Sequence, residues 1–215
     1  MMERTEVRIL LDNGHGENTP GKRSPDGSVR EYLYARNVVA EVARILKAEG
    51  YNVDIITPEK TDISLGTRCN RANWICRNYG SDKCLLVSVH LNAMGNGSSW
   101  MPARGWQVFV SNNASSRSKT LAGCIFDEAQ KRFRTRKPDS LHKYWRQNLA
   151  ICRDTLCPAV LTENLYMDNY EDAKLLMSAE GFQSIVNLHC EGIKKYVRIL
   201  LEGHCTLPDS VYGRL

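Results

Sequence analysis

Apolar and polar positions follow two alternating patterns along this chain. Short apolar runs predict β-strands, and they lie at residues 7–11, 51–57, 84–89, 106–110 and 159–162. Longer segments with apolar positions three and four residues apart predict α-helices, which lie at residues 31–49, 64–78, 118–133 and 180–202. Strands that alternate with helices are typical of an α/β sheet. The pattern therefore predicts a single α/β domain.

Three segments carry further detail. Residues 84–89 are nearly all apolar, as a strand buried on both faces should be, whereas residues 106–110 alternate like a more exposed strand. The basic segment 134–146 has no clear period, so it receives no assignment. The first long helix has one inward-facing apolar stripe, formed by Ala35, Val38, Val42 and Ile45.

Length and charge set the broad class of the protein. At 215 residues and 42% hydrophobic content, the chain can bury one sizeable core. We expect one domain over residues 1–202 and a C-terminal tail over residues 203–215. The formal charge of +5 is compatible with a polyanionic partner without requiring one. Because no aromatic stacking pattern surrounds the basic run at 131–137, we do not expect nucleic-acid binding.

Cysteine usage and the N-terminus bear on the compartment. The eight cysteines contain no C-x-x-C pair, and several lie inside apolar runs, where a thiol packs as a small hydrophobic group. We therefore expect reduced cysteines rather than a disulfide framework. The N-terminus has no signal-peptide pattern, and no apolar stretch reaches the roughly 18 residues of a membrane span. These features predict a soluble chain without a transmembrane segment.

Three residues with metal-binding or acid–base side chains fall at the ends of predicted strands. His15 lies just past the first strand, His90 follows the buried run at 84–89, and Glu163 follows the strand at 159–162. In open α/β sheets, ligands bind at the carboxyl ends of the strands. The coincidence of three such residues predicts a functional site at this edge.

Each of these residues also has a purely structural interpretation. His15 is compatible with a turn position, and its flanking glycines suggest a phosphate loop, although no Walker or G-x-G-x-x-G spacing follows. His90 is compatible with a hydrogen-bonded core histidine. Glu163 is compatible with an acidic residue in the first turn of a helix.

Glu31 has two competing interpretations. Ser28-Val29-Arg30-Glu31 fits a capping box, in which Glu31 bonds back to the backbone N–H of Ser28. Glu31 also lies in register with the inward-facing stripe, so its carboxylate should point toward the sheet. A carboxylate in that position needs a partner, and this slightly favours metal ligation.

Two imidazoles and one carboxylate are a ligand set of catalytic zinc. If His15, Glu31 and His90 hold such an ion, Glu163 remains as a free carboxylate nearby. It could then move a proton from water to a leaving nitrogen. This arrangement predicts metal-assisted hydrolysis of an amide or related bond.

The ordered motifs match a known family. They are Leu11-Asp12-Asn13-Gly14-His15-Gly16, the helix-opening Glu31, Ser88-Val89-His90-Leu91-Asn92-Ala93 and Val160-Leu161-Thr162-Glu163. Over residues 7–196 the chain resembles the zinc-dependent N-acetylmuramoyl-L-alanine amidases of the Amidase_3 type. The resemblance implies a mixed, mostly parallel central sheet of about six strands with helices on both faces.

The resemblance also implies a reaction and a site. The reaction is hydrolysis of the amide bond between N-acetylmuramic acid and the L-alanine of the stem peptide, so peptidoglycan is the implied substrate. The site is one zinc ion per chain, held by His15, Glu31 and His90, with Glu163 as the catalytic carboxylate. For Glu31 the match favours ligation over the capping box, and Ser28 is still expected to cap the helix. Asn92 and Asn169 are the expected substrate contacts.

Departures from the family pattern concern the surroundings of the site. Asn13 stands where the family has proline, and Asn164-Leu165-Tyr166 replaces the common Gly-Phe pairing, so the floor of the cleft is expected to differ. No wall-binding module is attached in this sequence. We expect a monomer that acts at the cell wall or periplasm, or after lysis if it is of phage type.

Two alternatives remain open at this point. One is another zinc peptidase that acts on cell-wall peptides, although carboxypeptidase-like enzymes place the first His and Glu three residues apart. In this chain the same gap is 31 − 15 = 16 residues. The other is a non-catalytic wall-binding module that has kept the fold.

Overall fold

A six-stranded sheet forms the centre of the protein in the computed structural model, which describes residues 3–203. The strands are β1 Arg8–Asn13, β2 Asn52–Ile55, β3 Cys84–Asn92, β4 Gln107–Val110, β5 Trp145–Arg146 and β6 Ala159–Tyr166. The α-helices are α1 Glu31–Ala48, α2 Leu65–Tyr79, α3 Ser116–Ala129, α4 Ala150–Arg153, α5 Tyr170–Met177 and α6 Ala179–Leu201.

The strand order is β2-β1-β3-β6-β4-β5. Strands β2, β1, β3 and β6 pair in parallel, whereas β4 runs antiparallel to β6, and β5 is parallel to β4. This topology confirms the expected mixed, mostly parallel sheet of six strands in a single α/β domain. The tail expected at 203–215 lies outside the described residues apart from Gly203.

Helices cover both faces of the sheet, as expected. On one face, α1, α3 and α6 bury the larger hydrophobic cluster, which takes Leu85, Val87 and Val89 from β3. On the other face, α2 and α4 cover a smaller cluster that takes Cys84 and Leu86. The alternation along β3 follows from the two-residue period of a strand with both faces buried.

Strand β4 is more buried than its sequence pattern suggests. The expectation of a more exposed strand at 106–110 is wrong, because β4 lies between β6 and β5 and under α3. Trp106, Val108 and Val110 are fully buried as a result. An alternating pattern indicates one polar face, but Gln107 on that face is also buried, and its side-chain carbonyl accepts a hydrogen bond from Asn92.

Three strands continue further into polar sequence than the apolar runs indicate. Strand β1 includes Asp12 and Asn13, β3 reaches residue 92, and β6 reaches residue 166. These polar residues stay within the strands because their side chains form hydrogen bonds with residues of other strands of the sheet. Ser88, for example, donates a hydrogen bond to the Asp12 carboxylate at 2.5 Å.

The observed ends of other elements also differ from the expected ones, and the sequence pattern did not predict two of the helices. Helix α5 and the single turn α4 were not expected, because each is too short to show a clear helical period.

All seven cysteines of the described range are buried free thiols, and Cys205 lies outside that range. Within residues 3–203, no helix combines the length and apolar character that crossing a bilayer requires.

Helices α3 and α6 approach each other closely on the larger face. A Cβ atom at Gly192 in α6 would lie 2.7 Å from the Cα of Ile125 in α3. The helices therefore touch at a point where only hydrogen atoms separate their backbones. By contrast, a Cβ atom added at Gly123 in α3 would have no neighbouring atom within 4 Å.

We predict that Gly192→Ala destabilises the protein by about 1–3 kcal/mol, because the added methyl overpacks a rigid backbone contact. Gly123→Ala is the matched control and should be neutral or up to about 1 kcal/mol stabilising, since alanine is the better helix former. Urea denaturation of both variants measures the difference. Equal stabilities would contradict the close approach of the two helices.

Candidate metal centre

His15 is delivered to the sheet edge by a tight turn after β1. Its φ is +60°, a left-handed conformation that is uncommon for a residue with a side chain. A Cβ atom at Gly14 would lie 2.4 Å from the His90 ring, and one at Gly16 would lie 1.9 Å from the Asp62 backbone nitrogen. The two glycines are therefore explained by close packing on either side of His15, rather than by a phosphate loop.

The backbone of His15 is held by two arginines. The Arg36 guanidinium donates to the His15 carbonyl at 3.0 Å, and Arg68 donates to it at 3.4 Å. Arg68 also bonds the Asp12 carboxylate at 2.8 Å and the Asn13 carbonyl at 2.7 Å. Because both residues are buried, loss of Arg68 would leave the Asp12 carboxylate in the interior without its positively charged partner, whereas Arg68 also pairs with Asp62 at 2.8 Å.

Glu31 is the first residue of α1, and its side chain points into the site. The capping-box interpretation is wrong, and so is the expected cap by Ser28: the N-cap is Arg30, which makes no side-chain cap bond. Ser28 instead donates to the Asp26 carboxylate at 2.7 Å. Glu31 Oε1 accepts a hydrogen bond from the Leu91 N–H at 3.1 Å, so α1 and β3 meet at this carboxylate.

The structure brings His15, Glu31 and His90 together, with one potential ligand atom from each lying within 4.8 Å of the others. Glu31 Oε1 is 3.4 Å from His15 Nε2 and 3.1 Å from His90 Nδ1. Ligands 2.0–2.1 Å from a tetrahedral metal ion lie about 3.3 Å apart, so the two distances from Glu31 are those expected around one small cation.

Two further observations fit a cation at this position. Glu31 is 1% exposed, and its Oε2 has no hydrogen-bond partner among the described residues. The nearest positive charge is Lys22, whose Nζ lies 3.9 Å away. Burial lowers the pKa of His15 to about 4, which keeps the imidazole in the neutral form that binds metals.

Glu163 lies beside these three residues, within β6. Its Cα pairs with that of His90 in β3, so the interpretation as a first-turn helix residue is wrong. Its Oε2 is shielded from solvent and has no hydrogen-bond partner among the described residues. Burial raises the pKa of Glu163 to about 7, which suits a group that accepts and returns a proton near neutral pH. Leu165, two residues on, has a φ of +69°.

Asn92 and Asn169, the expected substrate contacts, both make internal hydrogen bonds. The Asn92 amide donates to Gln107 Oε1 at 2.7 Å. Asn169 caps α5 through the Asp172 N–H and donates to the Met101 carbonyl at 2.8 Å. These bonds give both asparagines a place in the fold, and contact with substrate remains a prediction.

The remaining histidines of the described range stand apart from the centre. His189 is fully buried in α6, and bonds to Thr162 and to the Ile185 carbonyl hold it in the core. His142 is partly exposed and bonds to Asp139. His204 lies outside the described residues.

A cavity of about 580 Å³ opens beside His15 and His90 on the α2 and α4 side of the sheet. Its walls are mostly apolar, and three charged side chains, those of Asp12, Asp62 and Arg68, also line it. The remaining lining residues are Ile63, Ser64, Leu65, Leu149, Ala150, Ile151 and Leu161. Arg68 lines this cavity, and its position there depends on its pairing with Asp12, 56 positions earlier in the chain.

Comparison with known proteins identifies the family. The family model described as N-acetylmuramoyl-L-alanine amidase, Amidase_3, matches residues 9–195. The chain is 30% identical to N-acetylmuramoyl-L-alanine amidase CwlM of Bacillus licheniformis, across 88% of this chain and 68% of that protein. It is 27% identical to the endolysin of Bacillus phage SPP1, across 94% of this chain and 70% of that protein.

The fold agrees with this match. The catalytic domain of CwlV, an N-acetylmuramoyl-L-alanine amidase from Bacillus (Paenibacillus) polymyxa var. colistinus, superposes with a TM-score of 0.74. The superposition covers 90% of this chain and 99% of that domain, at 21% sequence identity. Sequence and fold together support peptidoglycan amidase activity. The chain belongs to the Amidase_3 family of N-acetylmuramoyl-L-alanine amidases.

Proposed function

We propose that His15, Glu31 and His90 hold one zinc ion, and that Glu163 is the proton carrier of the amidase reaction. The observation that carries the proposal is the convergence of two imidazoles and a buried carboxylate beside a second, unpaired carboxyl group. Two histidines, one carboxylate and an open fourth position are typical of hydrolytic zinc sites.

Zinc, when bound, supplies Lewis acidity toward the scissile carbonyl and lowers the pKa of water. The chain supplies proton transfer and positioning. Glu163 accepts a proton from the attacking water through its unpaired Oε2 and returns it to the nitrogen of L-alanine as the amide bond breaks. Arg36 and Arg68 hold the His15 turn in place through its carbonyl, so the imidazole stays oriented.

The cavity beside the centre supports a peptide substrate. Its volume of about 580 Å³ is that of a small-molecule site, and its apolar walls suit short side chains. At the end nearest His15, Asp62 pairs with the buried Arg68 at 2.8 Å, and the Asp62 side chain is 33% exposed, so a positively charged group of a peptide can also pair with it. We assign this cavity to the stem peptide that begins at L-alanine.

The metallopeptidase alternative predicts a different product. An amidase releases the amino group of L-alanine, whereas a peptidase releases an amino group from a residue further along the stem. The non-catalytic alternative predicts no release at all. Product analysis of digested peptidoglycan therefore separates all three.

We predict that His90→Ala lowers bound zinc from about one ion per chain to nearly none, because two remaining ligands hold the ion poorly. Elemental analysis of dialysed protein measures the content, and chelation followed by zinc addition should remove and restore activity. His142→Ala is the matched control and should keep its zinc, since His142 lies outside the group of candidate ligands and hydrogen-bonds to Asp139. Full zinc content in the His90 variant would exclude the assigned ligand set.

We predict that Glu163→Gln keeps zinc but lowers kcat at least about 100-fold, because glutamine cannot accept the proton from water. Mass analysis of digested muropeptides, with labelling of new amino groups, measures the loss. Glu41→Gln, on the outer surface of α1, is the control and should be fully active. A fully active Glu163 variant would show that another group carries the proton.

We predict that Gly14→Ala weakens zinc binding by about 10- to 100-fold, the range seen when groups supporting a metal ligand are disturbed. The added methyl would meet the ligand atom His90 Nδ1 at 2.4 Å and push the ring aside. Competition with a chelator of known affinity measures the change. Gly123→Ala, which meets nothing, should bind zinc as the parent does, and an equal affinity in both variants would contradict the assigned contact.

A further inference from the structure

Two aromatic side chains are exposed together near the edge of the sheet that carries the metal centre. Trp100 lies in the loop between β3 and β4, and Tyr170 is the first residue of α5. They are 37% and 51% exposed, and their ring centroids lie 5.3 Å apart in an edge-to-face arrangement. We call them the rim pair. Aromatic rings held at the surface in this way are typical of recognition sites.

The loop that carries Trp100 is anchored on both sides. The buried Asp168 carboxylate accepts hydrogen bonds from the backbone N–H groups of Met94 and Gly95, at 2.9 and 2.7 Å. The residue after Trp100 donates to the Asp168 carbonyl at 2.7 Å and accepts from the Asn169 amide at 2.8 Å. Asn169 also caps α5, so the same segment positions both members of the rim pair.

The same loop borders the metal centre. A Cβ atom at Gly97 would lie 3.0 Å from the Arg23 carbonyl and 3.3 Å from the Gly21 carbonyl, so the loop packs on this segment. Lys22, which lies between those two residues, has its Nζ 3.9 Å from Glu31 Oε2. Trp100 therefore lies three residues along the chain from Gly97, which packs against the segment that carries Lys22.

The proposed substrate has two chemically different parts, the glycan strand and the stem peptide, which are joined at the scissile amide bond. Because they lie on opposite sides of that bond, they extend from the centre in different directions. The stem peptide is assigned above to the cavity on the α2 and α4 side of the sheet. The rim pair is carried by the β3–β4 loop and by α5, and α5 packs against α6 on the opposite face. The glycan strand, which joins the scissile amide on its other side, has this rim available to it.

We propose that the rim pair binds the glycan strand of peptidoglycan, next to the muramoyl group at the metal centre; this inference rests on the proposed function. Sugar rings present flat faces of C–H groups, which are attracted to the negative face of an aromatic ring. Lys174 Nζ lies 4.2 Å from the Tyr170 ring centroid and covers one face of that ring. The principal stacking contact is therefore assigned to Trp100, with Tyr170 supporting it.

Binding of a peptide-free glycan tests the proposal directly. The probe is a linear β-1,4-linked N-acetylglucosamine hexasaccharide, titrated against the zinc-loaded protein by calorimetry. The parent protein should bind it, and Trp100→Ala should raise the Kd about tenfold, as expected for loss of one aromatic contact. Trp100→Phe should restore most of the affinity. Trp74→Ala, which removes a 63% exposed tryptophan from α2, is the matched control and should leave the Kd unchanged.

Kinetics provide a second readout that a general loss of structure would not reproduce. On polymeric peptidoglycan, Trp100→Ala should raise KM about tenfold with kcat unchanged. On a single muramoyl peptide without neighbouring sugars, both constants should match those of the parent. Equal losses on the two substrates would overturn the proposal, as would an unchanged hexasaccharide Kd in the Trp100 variants or no hexasaccharide binding by the parent.

The two proposals fail in different ways. Glu163→Gln should lose turnover and still bind the hexasaccharide, because the rim pair does not include the proton carrier. If Glu163 is not the proton carrier, this variant remains active while the hexasaccharide result stands. If the rim pair does not bind glycan, the hexasaccharide result fails while the zinc and product measurements stand.

Discussion

The site depends on one buried carboxylate. Glu31 is almost fully removed from water, and an ionised carboxylate in that position is stable only if neighbouring groups compensate its charge. The N-terminus of α1 provides part of this compensation, and the Leu91 N–H and the two imidazoles provide more. One oxygen is still unpaired among the described residues, and a cation at that point would complete the arrangement.

His15, His90 and Glu163 are gathered around this carboxylate because the strands β1, β3 and β6 are adjacent and parallel. Their carboxyl ends bring His15, His90 and Glu163 to one edge, and α1 approaches the same edge from the side. Beneath this edge, the buried Arg68–Asp12 pair fastens α2 to β1 and so holds the turn that carries His15. The candidate metal centre is thus built from the sheet itself and from the helix that packs against it.

Much of the fold and part of the site could be predicted from local sequence patterns. The α/β class, most strands and the placement of two histidines and Glu163 at strand ends follow from hydrophobic periodicity, which reflects local geometry. The predicted boundaries were wrong where polar residues continue a strand, as at Asp12, because its partner Ser88 lies 76 positions later in the chain. The expectation that β4 is more exposed was also wrong, because the burial of a strand depends on neighbouring strands and helices that are distant in sequence.

By itself, the sequence determined which residue types stand at the ends of the strands, because that order is written in the chain. From the residues alone the interpretation of Glu31 was nearly balanced, the family resemblance favoured ligation, and the tertiary structure excluded the capping box. It placed the carboxylate within 3.4 Å of both imidazoles and gave the N-cap to Arg30, contacts that depend on how α1 packs against β3. The pairing of Trp100 with Tyr170 likewise joins residues 70 positions apart (170 − 100), and no local pattern encodes a contact over that separation.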